Sequence, residues 1–307
     1  MRIVVVGSIN MDVIASVDKL PLPGETVAAS SVQYSPGGKG ANQAVAAARA
    51  GADVWMIGAT GSDPFAQATR NSLASAGVDI GHVADKPGAT GMAIIEVGAD
   101  GENHIVLAAG ANGLLGPADV VRAASVLASC DMVLLQNEVP WSVNQEAMRI
   151  AKASGTRVCY NPAPVRKLDI KALEGVDVLV MNETEAAAFV ATVPQGLDGD
   201  WSALGVLSDA GIGMTVVTLG SRGLVCYHRN GLIRLPAFPV RAIDTTAAGD
   251  TFIGAFAAAF DEQNVLYALR FGAAAAAIAV TKPGAQASVP SRSEIDRLLK
   301  ASGGKVE

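Results

Sequence analysis

The chain is short of charge, of aromatic side chains and of cysteine. Of its 307 residues, 17% are charged and 5% are aromatic, and the net charge of −6 comes without any cluster of Lys and Arg. Because a nucleic-acid groove needs clustered basic residues, we expect no nucleic-acid partner. The longest apolar run, residues 271–280, is too short to span a bilayer, and the first residues lack a signal-peptide pattern. We therefore expect a cytoplasmic protein without a membrane segment.

The few cysteines and histidines limit disulfide and metal chemistry. Cys130, Cys159 and Cys226 are far apart, form no CxxC pair and lie in apolar, strand-like segments. This pattern predicts buried free thiols. The three histidines lie near turns or strands without metal-ligand spacing, so the sequence predicts no structural zinc site.

Apolar residues are abundant, at 50% of the chain, and short apolar runs alternate with helical patterns. The continuous apolar runs predict strands of a parallel sheet that is buried on both faces, at 3–7, 54–58, 132–136, 157–161, 178–182 and 215–220. Helices are predicted between them, at 39–50, 63–76, 117–128, 142–153, 183–191 and 200–211. Such alternation is typical of an α/β fold with helices on both sides of the sheet.

The rest of the chain adds a hairpin, three helices and two β-rich excursions. The hairpin is predicted to turn at Asn230–Gly231, and the helices at 249–261, 265–280 and 293–301. Residues 11–35 and 90–112 contain strand patterns but no helix, with a turn expected at 99–101. We expect one domain over 1–307, a three-layer α/β/α core with a small β-sheet as a lid over a cleft.

The stretch "DTTAAGDTF", residues 244–252, places residues with small side chains between two aspartates, just before an apolar helix. The free N–H groups and the dipole at a helix N-terminus favour an anion, such as a phosphoryl group in transfer. Asp250 is then placed to accept the proton of an attacking hydroxyl. The alternative is that Asp250 only caps the helix.

A second glycine-rich turn, "SPGGKGANQ", also runs into a predicted helix. It is not a P-loop, because Gly40 follows Lys39 where that motif needs Ser or Thr. Lys39 and Asn42 are candidates to face a bound anion or polyol. An ordinary turn before a helix is the alternative.

The segment "GSINMD" follows the first strand directly. Asn10 and Asp12 alternate, so their side chains point the same way in an extended chain. A carboxylate and an amide together suit a vicinal diol, and Glu138 could join them. Each residue taken alone is better explained as an ordinary surface polar residue.

In "NETE", Asn182 and Glu185 are three apart at a helix start, so they share one face. They could organise Mg²⁺ and its waters near a triphosphate, since magnesium keeps several waters and takes few protein ligands. A capping box explains the same spacing.

Taken together, these motifs make the chain resemble the ribokinase-like PfkB family of carbohydrate kinases from end to end. "GSINMD", "PGETV", "GGKGANQAVAAARAG", "NPAP", "NETEA", "TLGSRG", "DTTAAGDTF" and "GAQASVP" occur in the family's order. The resemblance implies an α/β core with a β-sheet lid, and ATP-dependent phosphorylation of a sugar's primary hydroxyl, with D-ribose as the leading acceptor.

The resemblance also implies site residues. Asp250 matches the catalytic base, and the anion hole is matched by the main chain of Thr246, Ala247, Ala248 and Gly249. Sugar contacts are matched by Asn10, Asp12, Gly38, Lys39, Asn42 and Glu138, together with Asp250. Asn182 and Glu185 match the phosphate and magnesium region, and Thr218, Gly220 and Ser221 match part of the nucleotide site. A K⁺ site is matched by Asp244, Thr246, Ala279, Lys282, Gly284 and Ser288.

Two positions depart from the family pattern. Ala247 stands where glycine is common, so we expect an unstrained backbone there. Pro283 lies inside the expected cation loop, where it removes an N–H donor but keeps its carbonyl. Both changes leave the chemistry intact and could alter cation dependence.

Alternatives remain within and outside the family. Other acceptors are 2-deoxyribose, a ketohexose, a sugar acid or a nucleoside such as adenosine, and a non-catalytic sugar or nucleotide sensor is a different class. A Rossmann dehydrogenase is disfavoured because "VVVGSINMD" lacks the dinucleotide glycines. A small exposed sheet leaves open edges and an apolar face, so we expect a homodimer joined through the lid.

Overall fold

The computed structural model describes residues 1–229 and 231–303. In chain order the strands of this part are β1 Arg2–Val6, β2 Asn10–Val17, β3 Ala29–Gly37, β4 Asp53–Thr60, β5 Val78–Asp85, β6 Gly91–Val97, β7 Asn103–Ala108, β8 Met132–Leu135, β9 Arg157–Tyr160, β10 Val178–Asn182, β11 Met214–Thr218, β12 Leu224–His228 and β13 Gly231–Leu235. The helices are α1 Lys39–Arg49, α2 Pro64–Ser75, α3 Pro117–Arg122, α4 Ala124–Ser129, α5 Trp141–Ser154, α6 Glu183–Ala186, α7 Gly205–Asp209, α8 Ala248–Ala258, α9 Val265–Ala279 and α10 Arg292–Ala301.

Nine strands form the main sheet, in the order β13-β12-β11-β10-β9-β8-β1-β4-β5. The strands from β11 to β5 are parallel, and β12 and β13 extend the sheet as an antiparallel hairpin. The predicted hairpin is confirmed, although Asn230 in its turn lies outside the described residues.

Alternate side chains of each strand enter two separate hydrophobic clusters, one on each face. Ile3 and Val5 of β1 pack with α1, α2, α8, α9 and α10, while Val4 and Val6 pack with α3, α4, α5 and the segments around α6 and α7. This arrangement confirms the predicted three-layer α/β/α core. All three cysteines are buried free thiols, as predicted.

The two β-rich excursions form a separate four-stranded sheet in the order β3-β2-β6-β7. The two hairpin pairs are antiparallel, and β2 and β6 pair in parallel between them. The turn predicted at 99–101 is present, closed by a hydrogen bond from the Gly98 amide to the Glu102 carbonyl.

Several predicted elements were wrong in extent. The helix expected at 183–191 ends at Ala186, and the helix expected at 117–128 is interrupted at Ala123. Only Gly205–Asp209 of the helix expected at 200–211 is α-helical. The strand β5 was missed because it is a sheet edge whose side chains are only partly buried, so no continuous apolar run marks it. Within the described residues, no helix is both long and apolar enough to cross a membrane.

Candidate active site

The predicted site residues gather where the parallel strands end. Polar segments follow the carboxyl ends of β1, β8, β9, β10 and β11, and α1 and α8 begin beside them. Ligands of open α/β sheets bind beyond these strand ends. The fold therefore brings together segments that are up to 240 residues apart.

The start of α8 offers unpaired backbone amides. Ala247 precedes the helix, and its carbonyl accepts the first intrahelical bond, from the Thr251 amide at 2.8 Å. Within the described residues, no acceptor bonds the amides of Gly249 and Asp250. Gly249 is exposed, and a Cβ added there would meet nothing within 4 Å. The amides thus open onto the cleft, as an anion site requires.

The expectation of an unstrained backbone at Ala247 was wrong. Ala247 has φ 56° and ψ 15°, and among the described residues it is the one non-glycine with positive φ. For an alanine this left-handed conformation costs about 1–2 kcal/mol. This turn lies directly before the amides of Gly249 and Asp250 that have no acceptor within the described residues.

Asp250 is buried and held by α1. Its Oδ2 accepts a hydrogen bond from Asn42 Nδ2 at 3.1 Å, and its Oδ1 accepts one from Gln43 Nε2 at 3.0 Å. The helix-capping alternative for Asp250 is therefore contradicted, since Ala247 occupies the cap position and the carboxylate bonds another helix. The Asp250 charge is the main cause that raises the pKa of the nearby Lys39 ammonium, with smaller contributions from Glu138 and Glu185.

Asp12 and Asn10 lie on β2, beside Asp250. Burial of the Asp12 carboxyl raises its pKa to about 7, and the charges of Glu138 and Asp250 add to this effect. Asn10 Oδ1 accepts a hydrogen bond from Asn112 Nδ2 at 2.7 Å, so the Asn10 carboxamide turns its NH₂ group away from Asn112. Asn42 Oδ1 is buried without a partner in the described structure. These groups match the donors and acceptors that a polyol needs.

Two consecutive glycines let α1 approach this cluster. Gly38 has φ 91°, and a Cβ there would lie 2.8 Å from the backbone nitrogen of Asn10. A Cβ on Gly37 would lie 2.1 Å from Asp12 Oδ2. Glu138 Oε2 holds the turn before α1 in place. It accepts hydrogen bonds from Ser8 Oγ at 2.5 Å and from the Lys39 backbone amide at 3.1 Å.

Asn182 and Glu185 form the predicted capping box and also line a cleft. Each side chain accepts a hydrogen bond from the other's backbone amide, at 2.8 and 2.9 Å. Burial raises the pKa of the Glu185 carboxyl. The two residues line a cleft of about 200 Å³ that also exposes Lys39, Gly249 and Asp250. The capping box is confirmed, and the role of this pair in holding phosphate or magnesium stays a prediction.

A larger, mainly apolar cleft of about 640 Å³ begins on the other side of Gly249. Thr218, Gly220 and Ser221 line one wall, and Phe238 and Val280 lie among its apolar residues. Thr218 and Gly249 line both clefts, so the two clefts adjoin at the start of α8. A polar end joined to an apolar end suits a nucleotide triphosphate.

The predicted cation residues are only partly assembled by side chains. Asp244 accepts hydrogen bonds from the amides of Thr246 at 2.8 Å and Gly284 at 2.7 Å, which joins the two loops. Burial alone raises the pKa of Asp244, but these bonds outweigh it and lower the pKa. Lys282 points to Glu294, at 2.8 Å, and Ser288 Oγ donates to the Ala285 carbonyl. Ala279 ends α9.

Sequence reasoning missed three buried amides at the site. Gln43 bonds Asp250, Asn112 bonds Asn10, and Asn161 Nδ2 donates to Glu185 Oε2 at 3.2 Å. Gln43 lies inside the glycine-rich segment "SPGGKGANQ", Asn161 begins "NPAP", and Asn112 ends the β-rich segment 90–112. A polar residue within an apolar pattern was the available signal, but its partner lies far away in the sequence.

Comparisons with known proteins agree on one family. The model of the pfkB family carbohydrate kinases matches residues 1–292. The chain is 42% identical to the ribokinase of Haemophilus influenzae over 298 residues, which cover 96% of this chain and 97% of that one. It is 37% identical to the deoxyribokinase of Salmonella typhimurium over 302 residues, or 97% and 99% of the two chains.

A solved structure shows the same fold. The ribokinase of Arabidopsis thaliana, complexed with ribose and ATP, superimposes with a TM-score of 0.90 at 31% identity. The match covers 97% of this chain and 98% of that one. The small sheet, like the core, therefore lies within the shared fold.

The raised pKa of Asp12 makes stability depend on pH. In the unfolded chain this carboxyl loses its proton near pH 4, whereas in the folded protein it keeps the proton up to about pH 7. Between these values the folded state binds more protons, so its stability falls as pH rises. As the pH rises from 5 to 8 without sugar, the unfolding free energy of the Asp12→Asn variant should increase by about 2–3 kcal/mol relative to that of the wild type, because asparagine has no proton to lose.

Urea unfolding of both proteins at the two pH values measures this difference. Asp18→Asn, which removes an exposed carboxylate from the same segment, controls for the change in net charge. If the stability difference between the wild type and the Asp12→Asn variant stayed constant from pH 5 to pH 8, the raised pKa would be contradicted.

Proposed function

The chain belongs to the pfkB family of carbohydrate kinases, and from this premise we propose that it transfers the γ-phosphoryl group of ATP to the 5-hydroxyl of D-ribose. The products are ribose 5-phosphate and ADP. The observation that carries the proposal is the position of the Asp250 carboxylate directly beside the unpaired amides that begin α8. A base and an anion site meet there, at the junction of the two clefts.

The sugar binds on the β2 side of Asp250. Asp12 and Asn42 Oδ1 accept hydrogen bonds from sugar hydroxyls, and the Asn10 NH₂ group donates one. Glu138 and Gly38 hold the turn that shapes this pocket. Binding a hydroxyl to Asn42 Oδ1 gives a buried acceptor its missing partner, which makes the sugar contacts selective.

ATP lies across the two clefts. Its base and ribose occupy the apolar cleft beside Gly220 and Ser221, and its phosphates reach past Thr218 to Gly249. In the transfer step, Asp250 accepts the proton of the 5-hydroxyl as the new O–P bond forms and the bond between the γ- and β-phosphates breaks. The amides of α8 and the Lys39 ammonium stabilise the charge on the migrating group.

The Asn182 and Glu185 side chains, which line the smaller cleft, fit a hydrated Mg²⁺. Both Glu185 oxygens already accept hydrogen bonds from Asn182, so this carboxylate is better suited to bind waters of the ion than the ion itself. When bound, the ion neutralises phosphate charge. Residues Asn182 and Glu185 would hold its waters.

We also propose a K⁺ site beside the α8 turn. The loops that carry Thr246 and Gly284 are joined through Asp244, whose lowered pKa keeps it anionic there. Main-chain carbonyls of the predicted positions would supply the ligands, with the Asp244 charge nearby. A bound K⁺ would stiffen the turn that aims the Gly249 amide.

We propose a cytoplasmic location for the protein. The three free thiols support it, because the cytoplasm is a reducing compartment.

A second candidate acceptor is 2-deoxyribose, because a deoxyribokinase is as similar to the chain as several ribokinases are. A panel of ribose, 2-deoxyribose, fructose and adenosine, assayed with ATP and with or without K⁺, separates the acceptors. We expect ribose to have the highest kcat/KM, and K⁺ to raise it. Equal or better turnover of 2-deoxyribose would replace ribose as the acceptor, and no turnover of any sugar would favour the sensor alternative.

The base role of Asp250 predicts a split between binding and turnover. Asp250→Asn keeps the shape of the side chain but cannot accept the proton, so kcat should fall about 100-fold or more. Ribose affinity, measured by calorimetry without ATP, should change little. Asp209→Asn, which removes an exposed carboxylate at the end of α7, is the matched control and should leave kcat unchanged. An Asp250→Asn enzyme with near wild-type kcat removes Asp250 from the mechanism.

We further propose a homodimer through the small sheet. Its strands expose large apolar side chains, which are Val32, Tyr34, Ile94, Ile105, Val106 and Leu107. Strand β7 is exposed along its whole length and forms one edge of the sheet. An apolar surface with open edges favours association with a second copy.

Light scattering tests the dimer. The wild type at micromolar concentration should have twice the mass of one chain, and Val106→Lys should shift it to the monomer. Val206→Lys, at an exposed valine of α7, should leave the mass unchanged. A monomeric wild type, or a Val106→Lys protein that stays dimeric, contradicts this interface.

A further inference from the structure

A row of buried amides connects the catalytic carboxylate to the end of β8. Gln43 is fully buried on α1 and donates from Nε2 to Asp250 Oδ1. Its Oε1 accepts a hydrogen bond at 2.7 Å from Nε2 of Gln136, which is also fully buried. The main-chain carbonyl of Gln136 accepts a hydrogen bond from Asn144 Nδ2 at 2.7 Å.

The direction of these amides is fixed by the carboxylate. An ionised carboxylate only accepts hydrogen bonds, so Gln43 must turn its NH₂ group toward Asp250 and its oxygen toward Gln136. Gln136 then donates to Gln43 and turns its own oxygen toward Gly7, where an added Cβ would lie 2.0 Å away. That Gln136 oxygen is buried without a partner in the described structure, an arrangement with a free-energy cost.

Close packing of α1 on α8 makes the contact possible. Gly254 lies one turn after Asp250, and a Cβ there would come within 2.4 Å of the Gln43 carbonyl oxygen. The helices therefore approach closely enough for the consecutive residues Asn42 and Gln43 to reach the two oxygens of one carboxylate.

We propose that Gln43 is a positioning residue for Asp250, and that Gln136 holds the Gln43 amide in its donating direction. With Oδ2 bonded to Asn42 and Oδ1 bonded to Gln43, the carboxylate cannot rotate, and its remaining lone pairs face the sugar hydroxyl. This inference rests on the proposed function. An amide row with only a structural role would support stability and leave the base unaffected.

The pH profile of kcat/KM distinguishes the two roles. A carboxylate that loses a donated hydrogen bond holds its proton more tightly, so the acidic limb should move to higher pH. The charged and titratable groups around Asp250 are Lys39 on α1, Asp12 on β2, Glu138 after β8 and Glu185 on α6. The substitutions below change none of them.

Gln43→Met removes the donor but keeps the length of the side chain. We expect kcat to fall about 10- to 100-fold and the acidic limb to rise by about one pH unit. Gln43→Glu places a second negative charge beside Asp250, so its limb should move further up. Gln136→Met leaves both direct bonds of Asp250 available but frees the Gln43 amide, and should give a smaller shift of the same sign.

Thr156→Val is the matched control, because it removes a buried side-chain hydrogen bond, to the Leu127 carbonyl, away from the site. It should lower the Tm and leave kcat and the pH profile unchanged. Folded Gln43→Met or Gln136→Met enzymes with a wild-type limb and kcat would overturn the positioning role. A wild type that phosphorylates no sugar would instead overturn the proposed function.

Discussion

The close contact between α1 and α8 is the constraint on which the site depends. Asp250 begins α8, and its carboxylate is oriented by Asn42 on α1, 208 residues earlier in the chain. The helices can meet only because Gly254 has no side chain, since a Cβ would press on the α1 backbone. The same contact leaves the first amides of α8 pointing into the cleft. The proposed base and the proposed anion site are therefore positioned by a single helix interface rather than by two independent loops.

This geometry suits a base that is weak by chemistry. A carboxylate near a helix N-terminus is not strongly basic, and phosphoryl transfer asks mainly for alignment and charge stabilisation. In the proposed mechanism, rigid support from α1 contributes more than basicity does. The left-handed turn at Ala247 fits the same view, because a costly backbone conformation is kept where it aims the anion site.

The sequence predicted the local features of the site well and its long-range contacts poorly. The glycine-rich turns, the polar strand ends and the order of strands and helices are set by neighbouring residues, and most were found. The bond from Gln43 to Asp250 was missed because only the fold brings these residues together. The conformation of Ala247 was misjudged, although the glycine that is common at this position in the family indicates a left-handed turn. Strand β5 was missed because a sheet edge is only partly buried.

The crowding of acidic groups gives the site its selectivity and its cost. Burial raises the pKa of Asp12, the nearby charges of Glu138 and Asp250 raise it further, and Lys39 offsets only part of this negative charge. A pocket of buried acceptors gains most from a ligand that brings many hydroxyls and no charge of its own. A sugar is such a ligand. The phosphoryl donor is proposed to bind on the other side of Asp250, where Lys39 and the α8 amides favour negative charge instead. In the proposed mechanism, Asp250 thus marks the boundary between an acceptor-rich pocket and a donor-rich one, and the transferred group moves across that boundary.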